Sequence, residues 1–211
     1  MFGAASDKAW YQAILAGELD LFFQAKKGIL SACFAAGVRR VVADPIEHFN
    51  PVHDLCAVLA GAVARDLAQA CGEHVAVCDY AIEAERDHGP LDLRLQLDAD
   101  ALSRKMAAAR TYDPLAAEVA EREASSTLAS EVLRPFDPLG AWPEHPPHEP
   151  YYEAFGRRRL AEGAYDELIT YAGHIRPIAM ALGAGRETGD VECASPPSSP
   201  YATSAPTSAT A

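Results

Sequence analysis

Apolar residues recur at helical spacing from about Ala9 to Ala36, with a break near Gly17. The second piece carries a stripe of Leu21, Phe22, Ala25, Ile29, Leu30 and Phe34. Gly37 to Asp44 then gathers Val38, Val41 and Val42 into a short run that predicts a buried strand closing on an acid. A polar loop, Pro45 to Phe49, leads into Leu55, Val58, Leu59, Ala62, Val63 and Leu67, the face of a long amphipathic helix. Asn50 suits its N-cap and Pro51 its first helical position, and Gly72 ends it. His74 to Ile82 predicts a second strand, Asp87-His88-Gly89-Pro90 a turn, and Leu91 to Leu97 a half-exposed strand alternating with period two. Asp98 or Asp100 can cap a helix that runs through Lys105 to Tyr112, and Asp113-Pro114 starts another that reaches about Ala129.

From Arg134 to Pro150 the prolines Pro135, Pro143, Pro146, Pro147 and Pro150 oppose regular structure and predict a long irregular loop, a kind of segment that often serves as a lid or binding element. Helical sequence returns over Tyr151 to Ala161 and over Tyr165 to Leu182, with Gly163 between. Beyond about Gly183 the chain is rich in Ser, Pro, Thr and Ala, so 185–211 is expected to be a disordered tail after a single domain over 1–184. About three strands among many helices predict an α/β fold, a sheet layered with helices and a helical C-terminal part. Three strands are few for a doubly wound domain, so part of the sheet is either missing or supplied elsewhere.

Composition narrows the function. The 211 residues are 49% hydrophobic and 23% charged, with a formal charge of −12. Phosphates would repel such a chain, so nucleic acid and anionic membrane surfaces are excluded as non-specific partners. No stretch has the roughly 18 apolar residues of a membrane span, and the N-terminus lacks the basic start and apolar run of a signal peptide, so a cytoplasmic protein is expected. The five cysteines, Cys33, Cys56, Cys71, Cys78 and Cys193, show no CxxC spacing; most lie in apolar patterns and read as buried, reduced thiols.

The candidate chemistry gathers where the first strand meets the long helix. Asp44, Glu47, His48, His53 and Asp54 fall together at the carboxyl end of a strand and the start of a helix, the place where open α/β sheets bind ligands. A hydrolytic zinc site takes three ligands and keeps one position for water. His53, with His48 and Asp44, offers such a set, and Asp54 or Glu47 offers a base. The plainer alternative has Asp54 favouring the positive helix N-terminus, His53 partly buried, and Glu47 and His48 solvated. His145 and His148 read as metal-directed lid residues or, more simply, as exposed loop positions. Tyr151 and Arg157 read as sugar- or anion-binding groups, or else as the packed and solvated faces of an amphipathic helix. No Gly-x-Ser-x-Gly elbow, P-loop or Gly-x-Gly-x-x-Gly is present. The His53-Asp54 pair fits the HD-type phosphohydrolases, but those are all-helical and the strands here argue against them.

A strand ending in an acid, then Glu47, then Asn50-Pro51-Val52-His53-Asp54 opening a helix, resembles the second metal motif of the PIG-L (LmbE-like) family, His-Pro-Asp-His followed by a helix. Leu91-Asp92-Leu93, Lys105 and Ala107 to Tyr112 are similar to a later strand and helix of that family; together the matches span about 38–115. The resemblance implies a Rossmann-like fold and a zinc-dependent hydrolase that removes an N-acyl group from a sugar or sugar-bearing metabolite. It also implies that His53 is a metal ligand, and that Asn50 stands in place of the motif's other histidine, on the substrate side. The family's first motif, His-Pro-Asp-Asp-Glu after a strand, has no counterpart in these residues. The resemblance therefore also admits a non-catalytic or N-terminally incomplete member that serves as a binding domain.

Overall fold

The computed structural model describes residues 5–80, 90–111, 126–140 and 142–184. The turn expected at Asp87 to Gly89, most of the helix expected from Asp113, and the tail over 185–211 lie outside the described residues.

The opening helical stretch is two helices, α1 (Asp7–Ala16) and α2 (Asp20–Ala35). Ser6 caps the first through its hydroxyl, and Gly17, at φ 64°, turns the chain out of it in the left-handed conformation that glycine adopts without strain. β1 (Arg40–Ala43) leads to α3 (Pro51–Cys71), which Asn50 caps by accepting from Val52 N at 2.9 Å. β2 (Ala76–Asp79), β3 (Leu93–Gln96) and α4 (Ala99–Arg110), capped by Asp98, follow. A 3-10 turn at Ser126–Ala129 runs into β4 (Ser130–Pro135). The C-terminal part is α5 (Tyr151–Ala161), a π turn at Tyr171–Ile175, and α6 (Arg176–Ala184).

The strands form one mixed sheet in the order β1-β2-β4-β3. β1 and β2 are parallel, with Val41 opposite Val77 and Ala43 opposite Asp79, and α3 is their crossover. β4 runs antiparallel to both of its neighbours, pairing Asp79 with Arg134 and Leu93 with Leu133. The fold is thus α/β in class, with a small mixed sheet.

β4 corrects the expectation of irregular chain from Arg134. Arg134 and Pro135 close a strand that lies inside the sheet. Pro135 is tolerated because it sits at the strand's end, where a missing N–H costs little. The Arg134 guanidinium grips the Asp79 carboxylate at 2.7 and 3.0 Å, so the charge in the strand is paired within the sheet. The helix expected from Tyr165 begins only at Tyr171, and its first turn is π. Pro177 explains the wide turn: in an α-helix its ring would crowd the carbonyl of Gly173, and the looser winding relieves that contact.

Two apolar clusters share α3. Its first half, Leu55, Val58 and Leu59, packs with Ile14, Phe22, Tyr171 and Ile178. Its second half, Val63, Ala64 and Leu67, packs with Leu30 and Val75 against the strands. The helical stripe read from the sequence is therefore buried along its whole length. Among the described residues no helix is long and apolar enough to cross a membrane.

Candidate functional site

The carboxyl ends of the two parallel strands meet the N-terminal turn of α3. The β1–β2 register sets Ala43 beside Asp79, so the next residues, Asp44 and Tyr80, come out side by side. The Tyr80 hydroxyl donates to Asp44 Oδ1. The other Asp44 oxygen lies 3.2 Å from His53 Nδ1. His53 is half exposed, and with Nδ1 turned to the carboxylate its Nε2 is the nitrogen left for a ligand. A carboxylate behind an imidazole is the usual way to fix the ring's tautomer and orientation. Cys56, close by on the next turn of α3, is exposed where the sequence predicts a buried thiol, and among the described cysteines only Cys78 is buried. Desolvation first, and then the Asp44 charge, push the Cys56 thiol above the ordinary value, so it stays protonated and weakly nucleophilic at neutral pH.

Asp54, the residue after His53 on the helix, turns inward and is fully buried. Its Oδ1 accepts from the backbone N–H of Glu47 and of His48, each at 3.2 Å, and its Oδ2 lies 3.2 Å from His48 Nδ1. His48 has φ 57°, a left-handed conformation that a side chain disfavours. The carboxylate holds that turn closed. The His48 carbonyl then accepts from Tyr151 N at 2.8 Å, the first N–H of α5, and the His48 ring meets Tyr171 edge-on at 5.4 Å. His48 and Asp54 thus form one pair and His53 and Asp44 another. The first is structural in its contacts; the second opens to solvent.

Asn50 and Tyr151, singled out from the sequence, border a broad open cavity of about 1130 Å³ between α1, the start of α3, α5 and the segment before the π turn. One wall is a row of rings. Phe49 stacks on Tyr151 with centroids 4.5 Å apart, Tyr151 on Phe155 at 5.9 Å, and Phe155 meets Tyr165 at 6.3 Å. Phe49, Tyr151 and Tyr165 are each about half exposed. Tyr152, which also lines the cavity, buries its hydroxyl with no hydrogen-bond partner among the described residues. Arg157 is not part of the cavity, because Glu149 and Glu153 engage its guanidinium. His145 and His148 are exposed loop residues.

No family model matches this chain, and neither a curated protein nor a solved structure matches it significantly.

Its chemistry therefore rests on its own geometry. Glu47, Asp54, His48, His53 and Asp44 are neighbours along one loop and one helical turn, as their sequence spacing predicts, yet they do not converge on one point. Among the described residues no group of three His, Cys, Asp or Glu side chains is arranged to hold a metal ion. Sequence reasoning missed Tyr80 and the aromatic row. The first needed the strand register. The second had a weak signal in Tyr151 and Phe155, which lie four apart on one helix face.

The phenols give a direct check on this packing. Desolvation, with the Asp44 hydrogen bond and charge adding to it, pushes Tyr80 from its ordinary value of 10 up to about 12. Burial also raises Tyr11, Tyr152 and Tyr171. The native state keeps these protons where the unfolded chain gives them up. Their contribution to stability is complete below the ordinary phenol value and is lost as pH climbs through the native ones. In an ultraviolet pH titration we expect a late tyrosine class, with Tyr80→Phe removing a step near pH 12. Ionisation of every tyrosine in one step at the ordinary value would refute the packing.

Proposed function

We propose that this chain is a PIG-L-like, Rossmann-related protein that takes an N-acylated sugar or sugar-bearing metabolite into the aromatic cavity and, as a metal-dependent hydrolase, removes its N-acyl group. The observation that carries the reading is the row of half-exposed rings beside Asn50, at the helix end that also holds His53. Sugar rings present C–H faces that lie flat on aromatic side chains, with polar groups at the edge to fix orientation. Asn50 and Tyr151 border the cavity, which supports this role for them.

The fit to zinc is partial. His53, oriented by Asp44, suits one ligand position, and His48 is turned to Asp54 instead. A bound metal would polarise the amide carbonyl and activate water. In this chain Asp44 would hold the His53 ring, with Tyr80 bonded to the same carboxylate, while Asn50, three residues before His53, borders the cavity. A second reading, a binding domain without hydrolysis, is favoured by Asp54, whose carboxylate oxygens are both already engaged by the loop.

Metal content measured by mass spectrometry, on wild type and His53→Ala purified without chelator, tests the hydrolase reading. About one zinc per chain, lost in the variant, is the expected result. Equal metal in both, or none in either after zinc supplementation, removes the hydrolase and leaves the binding domain.

A further inference from the structure

The charge lining the aromatic cavity has one sign. Glu18, Asp166 and Glu167 contribute to it, and no Lys, Arg or His does. All three acids are exposed, and none makes an ion pair among the described residues. The same cavity is lined by the rings of Tyr11, Tyr151, Phe155 and Tyr165, whose π-systems are negative at the centre. Two of these rings already attract cations. The Arg158 guanidinium sits 5.2 Å from the centroid of Phe155, and that of Arg159 sits 5.7 Å from the centroid of Tyr165. Neither arginine lines the cavity, and Arg159 is also paired with Glu162 at 2.6 Å.

We propose that the cavity is a site for an organic cation: an ammonium group carried on an apolar or sugar-like body, lying along the aromatic row with its charge toward Glu18, Asp166 and Glu167. An ammonium over ring faces is attracted by their quadrupoles, most strongly where water is excluded. Nearby carboxylates add long-range attraction and repel anionic competitors. A neutral or acidic ligand would leave those carboxylates unanswered. The inference deepens the reading of this cavity as the ligand site and does not depend on hydrolysis. Should the hydrolase reading also hold, the amine that deacylation releases would be the better-held species.

Isothermal titration of the full chain decides it, using choline, its uncharged isostere in which a tert-butyl group replaces trimethylammonium, and N-acetylglucosamine. Choline should bind about tenfold more tightly than the isostere. Combined Asp166→Asn and Glu167→Gln should weaken choline by a similar factor and leave the isostere unchanged, and Tyr165→Leu should weaken both. These are exposed positions, and circular dichroism checks that each variant folds. Equal affinity for choline and the isostere, or no binding of choline, overturns the proposal. N-acetylglucosamine binding without choline would do so while sparing the sugar reading, whereas choline binding alone would sink the sugar reading and support the cation site.

Discussion

Asp54→Ala is expected to lower the denaturant midpoint sharply, with a loss of about 3 kcal/mol in unfolding free energy. The carboxylate is buried and holds two backbone N–H groups and the His48 ring, all in a turn that is left-handed at a non-glycine residue. Removing it strands those donors and releases the strain they offset. Asp54→Asn should recover part of the loss, because the amide oxygen still accepts from Glu47 and His48. The loop also presents the His48 carbonyl to Tyr151 and stacks Phe49 on the same ring, so the aromatic row should loosen with it. Near-ultraviolet circular dichroism would report that coupling. An Asp54→Ala protein as stable as wild type would mean that the turn does not depend on the carboxylate.

The second large effect lies away from the site. Lys26, on α2, is 1% exposed and pairs with Asp66 on α3, whose carboxylate also takes the Arg65 guanidinium at 2.9 and 3.0 Å. Asp66→Ala leaves a buried ammonium without its counter-charge, and a loss of about 3–5 kcal/mol is expected. Lys26→Met is expected to cost far less, since a thioether chain fills the same space and Asp66 keeps Arg65. Urea denaturation of both variants checks the ranking. If Lys26→Met proved the more damaging, the pair would be stabilising in its own right instead of merely mutually compensated.

The two cases show what sequence could and could not reveal. Helices were legible because their apolar stripes repeat over many residues: the stripe from Leu55 to Leu67 predicts both the length of α3 and its buried face. The caps Asn50 and Gly72 fixed its ends. β4 was not legible, because Ser130–Pro135 has only Val132 and Leu133 as apolar residues and ends on a proline. What makes it a strand is tertiary, the pairing with β2 and β3 and the Arg134–Asp79 contact. The cluster of Asp44, His53 and Asp54 was visible as proximity along the chain, but not its division into two pairs. That division follows from helix geometry, since adjacent residues on a helix point about 100° apart. His53 therefore turns outward to Asp44, and Asp54 turns in beneath the loop. The cavity draws on four separate segments, and no local pattern announces such a meeting.

Because α3 is buried at both ends by different clusters, its first turn is the tip of a rod about 30 Å long, clamped along most of its length. His53 and Asn50 ride on that tip. A ligand that meets them finds a surface already set in place, and little of its binding free energy is lost to ordering the protein. Affinity here is decided by complementarity, and a poorly matched ligand has no flexible helix end to adapt to it.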